Sequence, residues 1–309
     1  MTRVIVLNLP GGMASSLAIT LDALETANAV SRRAGRREPF AVETLRITRA
    51  AACVFQPRDL VIVPGLGTTT EAELTARLAS SAIRRAVRLL VEARAAGATV
   101  AGSCAGTFLL AEAGLLNGRR ATTTWWLAPV FRKRYPQVEL VAEQIVVADW
   151  PIATAGAAMA QMDLMLAVIA KFAGARTSQA CARYLLLDRR TSQVPYMAIT
   201  FLAGEDDRIA RAESWLRKNI EREFTMDELA AAAGLTPRTF ARRLKVVCGV
   251  SPVRFAQRIR GEVAAMLLET TNLPIDEISR RVGYSEPSTL RRLLRRDSSR
   301  SPSSLRRSA

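Results

Sequence analysis

The chain has no histidine among its 309 residues. Ser/His/Asp and Cys/His nucleophilic sets, zinc held by imidazole and haem on a proximal histidine are therefore closed to it. Cysteine is scarce as well. Cys53, Cys104, Cys181 and Cys248 lie far apart with no CxxC pair, which excludes a disulfide framework or zinc ribbon and fits a reducing cytoplasm. No metal or other cofactor is expected. Long apolar runs are missing too. MTRVIVLNLPGG is interrupted by Asn8, Pro10 and Gly11 and reads as a first β-strand rather than a signal peptide or membrane span. The apolar stretch 159–170 carries Asp163 at its middle, as a buried helix would.

Acidic residues are in deficit, 28 against 44 Lys+Arg, for a net charge of +16 that suits an anionic partner. The excess is concentrated at one end. Residues 238–309 hold 16 basic and 6 acidic side chains, a net +10, leaving +6 for the 237 residues before them.

Up to about residue 170, short β-branched runs ending in Gly or Pro alternate with helical Ala/Leu/Arg stretches, the pattern of βαβ units. VIVLNL, DLVIVPG and ATVAGSC are the clearest strands. Residues 17–30 and 72–97 carry helical apolar spacing, and Gly97 follows as a stop. Residues 138–155 read as an added hairpin, followed by a helix. The expected fold class is α/β: a doubly wound, mostly parallel sheet over 1–173, a connector over 174–207, and an all-α domain over 208–309 with two helix-turn-helix units.

Those units are an internal repeat. Residues 226–252 are echoed by 275–302, offset by 49 residues at the first helix and 50 at the second. Thr225 with Glu228 forms a capping box, Met226, Leu229, Ala230 and Ala233 form an apolar stripe, and Gly234 suits a left-handed stop. Thr236-Pro237 then caps a second helix. In it Phe240, Leu244 and Val247 face one way and Arg238, Arg242 and Lys245 the other, with Thr239 in the first turn. The second copy turns Leu290, Leu293 and Leu294 inward and Ser288, Arg292 and Arg295 outward, with Thr289 and Arg291 beside them. An exposed arginine face can pair with guanine in a major groove and neutralise phosphates. A solvated helix face is the plainer reading of either copy alone; two copies at matched offset favour DNA.

With these residues on view, the C-terminal hundred or so resemble the AraC-type DNA-binding domain, whose two helix-turn-helix units are joined by a long helix, here residues 253–268 with Arg254, Arg258 and Arg260. The last copy departs from the pattern at Leu290, Ser299 and Leu305, where Phe, Gly and an aromatic are usual. The resemblance implies recognition helices entering successive major grooves of double-stranded promoter DNA.

Gly102-Ser103-Cys104-Ala105-Gly106 follows a strand and opens a helix in the form of a nucleophile elbow. Backbone amides and the helix dipole there are expected to favour the Cys104 thiolate; a small packed cysteine is the alternative. Together with VIVPGLG and GLLNGRRATTTWW, this turn resembles the ThiJ/PfpI branch of the class I glutamine-amidotransferase-like fold. Joined to an AraC-type tail, it points to GlxA-type transcriptional regulators. Catalytic relatives pair the elbow cysteine with an acid and often a histidine. At the corresponding positions this chain has Ser16 and Thr124, so the resemblance implies binding of a small-molecule effector without turnover. Cys104 and the amides of Ala105 and Gly106 would meet an anion or carbonyl oxygen, with Ser16, Gly65, Leu66, Thr124 and Trp125 as walls, although Trp125 and Trp126 also read as core aromatics. Oxidation of Cys104, or a Cys-dependent hydrolase or hydratase, are the competing readings. The resemblance further implies a homodimer; the cysteine usage and the missing apolar runs lead us to expect it in the cytoplasm with no membrane association.

Overall fold

A computed structural model of the chain describes all residues except 189, 194, 195, 198, 299–301 and 307–309. It divides into two compact units, Met1–Gln193 and Val194–Ala309.

In the first unit a six-stranded sheet has the order β2 (Phe40–Arg46), β1 (Thr2–Asn8), β3 (Leu60–Val63), β4 (Thr99–Ser103), β8 (Ile152–Ala155), β7 (Val146–Asp149). Every pairing is parallel except that of β7 with β8. The period of two along β1 decides which face each side chain serves. Val4 and Val6 join Leu60, Ile62 and Ala101 under α1 (Ala14–Arg33), α6 (Ala160–Ala173) and α7 (Ala175–Tyr184). Ile5 and Leu7 join Val61, Val63 and Val100 under α2 (Glu71–Leu78), α3 (Ser81–Ala95) and α4 (Thr107–Glu112). Both sheet faces are thus covered, as a parallel sheet requires. The short strands β5 (Arg120–Ala121) and β6 (Glu139–Leu140) pair separately, and α5 (Ala128–Arg134) lies between them in sequence.

The second unit is helical throughout its described residues: α8 (Ile199–Gly204), α9 (Asp207–Lys218), α10 (Met226–Ala232), α11 (Pro237–Val247), α12 (Pro252–Thr270), α13 (Ile275–Arg281), α14 (Pro287–Ser298) and α15 (Pro302–Arg306). Leu229, Ala230, Ala233, Phe240 and Leu244 are buried in the first repeat, and Ile278, Val282, Leu290, Leu293 and Leu294 in the second.

Four local readings differ from the structure. The stretch 72–97 is two helices, because Ser80 takes an extended conformation and its hydroxyl caps α3 by accepting from the Ile83 amide. The strand β2, on the sheet edge, carries no strong apolar run and so gives no clear strand signal in the sequence. Within 138–155, β6 joins β5, so that only β7 and β8 form the hairpin. The segment expected as a connector instead contributes α7, whose Thr177, Ser178 and Cys181 are buried in the first unit. Of the departures from the AraC-type pattern, Ser299 lies outside the described residues, while Leu290 and Leu305 are buried in the second repeat. No helix among the described residues is long and apolar enough to cross a membrane.

Candidate DNA-binding face and buried cysteine site

The repeat builds its two outward helices with the devices legible in the sequence. Thr225 and Glu228 close a reciprocal capping box, Gly234 takes φ +64°, and Thr236 caps α11 by accepting from the Thr239 amide. The Thr236 hydroxyl also donates to Thr239 Oγ1 (3.0 Å), and α9 grips the turn through Arg208 and Arg211, which donate to the Gly234 and Ala233 carbonyls. With Phe240, Leu244 and Val247 buried, geometry sends Arg238, Arg242 and Lys245 into solvent, while Thr239 is half-buried. The Lys245 ammonium donates to the Gly249 carbonyl (3.0 Å). On α14 Ser288, Arg291, Arg292 and Arg295 are exposed, and Thr289 is half-buried with its amide on the Glu286 carbonyl.

Charge pairing separates the arginines of this unit into two sets. Arg243 pairs with Asp206 (2.6 Å), Arg254 with Asp297 (2.5 Å), Arg217 with Glu213 and Glu262, Arg222 with Glu228 (3.0 Å), Arg280 and Arg281 with Glu277, and Arg296 with Asp297 (3.2 Å). Arg306 donates to the Leu273 carbonyl, Arg260 lies against two aromatic rings, and the buried Arg258 is also partnered. Among the described arginines of this unit, Arg238, Arg242, Arg291, Arg292 and Arg295 alone have neither an acidic partner nor a carbonyl or ring to engage them. All five stand on the outward faces of α11 and α14. A guanidinium with five unused donors is ready for planar recognition of a base edge or phosphate.

The cysteine turn is built differently from its expectation. Cys104 follows β4 directly and adopts φ +52°, giving the strained strand-to-helix corner, and a single 3-10 turn over Cys104–Gly106 leads into α4. Its amide donates to the Gly156 carbonyl (2.8 Å), and its carbonyl accepts from the Thr107 and Thr123 hydroxyls (2.7 and 3.0 Å). Ser16, Gly65 and Cys104 come together: the Gly65 amide donates to Ser16 Oγ (2.9 Å), and a β-carbon on Gly65 would sit 3.1 Å from that of Cys104. Leu66, Ala105, Gly106 and Thr124 are buried around them, and Trp125 is half-buried, edge to face with Trp126 at 5.5 Å.

Cys104 is only 2% exposed, and burial pushes its thiol up to about 11; the Ala105 amide and the Thr124 hydroxyl pull the other way without prevailing. The expectation that the turn favours a thiolate is thus corrected. A six-residue helix entered through a 3-10 turn offers too little field to outweigh desolvation. The exposed terminus assumed for oxidation is corrected with it, because sulfenate chemistry needs an accessible thiolate.

Two residues at this site escaped the sequence reading. Ser103 Oγ and Gln161 Oε1 are buried without a hydrogen-bond partner, and Thr124 Oγ1 makes no full hydrogen bond either. Gln161 reaches back through Thr20 to Ser16: its amide donates to Thr20 Oγ1 (2.7 Å), which donates to the Ser16 carbonyl (2.8 Å). The available signal was Gln161 itself, which with Asp163 interrupts the apolar start of α6. Such orphaned groups cost about 1–3 kcal/mol each unless something pairs with them. Ser103, Cys104 and Gly65 all lie at carboxyl ends of strands, where open α/β sheets bind ligands.

Residues 229–308 match the family described as a helix-turn-helix domain, and residues 43–171 match the DJ-1/PfpI family. The chain thus joins a DJ-1/PfpI domain to an AraC-type helix-turn-helix domain, and the relatives it resembles are GlxA- and CdhR-type transcriptional regulators. It is 30% identical over 210 residues to the HTH-type transcriptional regulator CdhR of Pseudomonas aeruginosa, an alignment covering 67% of this chain and 62% of CdhR. Over 215 residues it is 30% identical to the HTH-type transcriptional regulator GlxA of Rhizobium meliloti, covering 68% and 66% of the two chains. A third relative, GbdR of P. aeruginosa, is 25% identical over 282 residues, covering 87% and 74%. The chain therefore spans less than two thirds of the first two relatives.

Proposed function

We propose that this chain is a cytoplasmic, homodimeric transcription regulator that binds promoter DNA sequence-specifically through α11 and α14, and whose DJ-1/PfpI domain senses a small metabolite without turning it over. The observation that carries the DNA-binding reading is the set of five unengaged arginines on the two outward helices, against a background in which the unit's other described arginines are committed to internal partners. The names of the relatives support the same reading. Selection of duplexes from a random pool by the full-length chain tests it: a consensus of two elements supports it, and no enrichment contradicts it.

Sensing without turnover is supported by the chemistry of the turn. A thiol held near 11 is about one part in ten thousand thiolate at pH 7, and neither a histidine nor an acid stands at the positions that relatives use for proton transfer. The unpaired hydroxyls of Ser103 and Thr124 and the Gln161 carbonyl offer two donors and an acceptor to a small polar ligand. A metabolite binding there at 100 times its Kd is expected to stabilise the protein by about 2.7 kcal/mol. In a thermal-shift screen that stabilisation should vanish in Gln161→Leu and Cys104→Ala variants. A hit whose shift survives both substitutions would place the sensory site elsewhere.

A further inference from the structure

The side chain of Arg260, on the joining helix α12, lies between two rings, 5.0 Å from the centroid of Phe224 and 5.1 Å from that of Tyr284. The rings belong to different repeats. Phe224 immediately precedes the capping box of the first helix-turn-helix unit, and Tyr284 sits in the turn between α13 and α14 of the second. One guanidinium therefore touches both units across the helix that joins them. The stack continues on the first side, where Phe224 meets Trp215 edge to face at 5.7 Å and Arg222 covers Trp215 at 5.1 Å.

The internal repeat shows that this clasp is an addition to the basic motif. Gly234 and Gly283 end the first helices of the two copies, and both take left-handed φ. A β-carbon on Gly234 would approach only Arg211, at 3.8 Å, whereas one on Gly283 would fall 2.4 Å from the Ile220 carbonyl oxygen and 2.6 Å from the Arg260 guanidinium. The second turn is thus pressed against the segment that enters the first unit. At the following position the first copy has Leu235 and the second has Tyr284, the ring that Arg260 needs.

We propose that Arg260, clasped by Phe224 and Tyr284, is a positioning residue that fixes the separation and phase of α11 and α14, and so sets the operator spacing the protein reads without touching DNA itself. The proposal rests on the DNA-binding reading. Stacking of a guanidinium on two faces resists rotation of one unit about α12, because sliding either ring away forfeits the cation–π attraction and exposes apolar surface. Rigid placement matters because two recognition helices on one face of a duplex must match its helical repeat.

The test uses full-length protein and the duplex selected by the wild type, together with derivatives carrying one base pair inserted or deleted between the two elements. For Arg260→Ala the affinity for the selected duplex is expected to fall about tenfold, the loss on changing the spacing to shrink, and the salt dependence to stay as in the wild type. Tyr284→Leu, which installs the residue of the first copy, is expected to behave alike even if the arginine variant folds poorly. Arg260→Lys, which keeps charge but not the planar stack, should fall between them and the wild type. A wild-type spacing profile in both Arg260→Ala and Tyr284→Leu would overturn the clasp while leaving DNA binding in place. Failure of the wild type to select any duplex would overturn the DNA-binding reading, and the clasp with it.

Discussion

Replacing Arg238 and Arg242 together by alanine is expected to cost roughly 1–3 kcal/mol for each base edge that the guanidinium no longer reaches, and to flatten discrimination between the selected duplex and unrelated DNA. The fold should be indifferent. Both side chains stand in solvent on α11 without partners, and alanine is a better helix former than arginine, so the thermal midpoint should stay within about a degree or rise. The same pair of measurements on Arg292→Ala with Arg295→Ala tests α14. Arg243 supplies the contrast. It shares α11 but pairs with Asp206, whose other oxygen caps α9 through the Arg208 and Ile209 amides. Its removal should lower stability before it alters sequence preference. Equal losses of affinity at Arg238, Arg242 and Arg243, without change in discrimination, would reduce the arginines of α11 to a general charge effect.

The second large effect concerns Cys104. In the folded protein at pH 7.5, iodoacetamide should modify Cys53, the only one of the four thiols that is not buried, at least about a hundredfold faster than Cys104, the two becoming equivalent in urea. Burial raises both thiols, but the Arg3 guanidinium beside Cys53 favours its thiolate, whereas only the uncharged Ala105 amide and Thr124 hydroxyl favour that of Cys104. A thiol whose value rises on folding from the ordinary 9.0 to about 11 contributes stability that is complete below pH 9 and disappears as pH climbs toward 11. The wild type should therefore lose up to about 3 kcal/mol more than Cys104→Ala over that range. Labelling of Cys104 as fast as Cys53 would remove the argument against oxidation sensing.

What the sequence revealed, and what it hid, follows from the range of the interactions involved. The capping box at Thr225, the stop at Gly234 and the Thr236-Pro237 start are local devices, and Glu228, Gly234 and Pro237 recur 49 or 50 residues later as Glu277, Gly283 and Pro287, so the helix-turn-helix pair was legible before any coordinates. The cysteine corner was legible from its glycines, because Gly106 leaves no room for a β-carbon, which would lie 2.5 Å from the Pro64 carbonyl oxygen. Its electrostatics were not, since sequence shows a helix start but not the depth at which it is buried. The division of the arginines was equally hidden, as Asp206 stands 37 residues from Arg243 and Asp297 stands 43 from Arg254. Ser103 and Gln161 were missed because a polar side chain draws attention in a helix pattern only once its neighbours across the sheet are known.

The most direct test of the account is an anisotropy titration of full-length protein with the duplex selected by the wild type, against a scrambled duplex of equal length and at two salt concentrations. A preference of at least about a thousandfold is expected at physiological salt, with log K falling linearly in log salt as phosphate-bound cations are released. Equal affinity for the two duplexes at both salts would contradict it, leaving the arginines of α11 and α14 as a charged surface with no code to read.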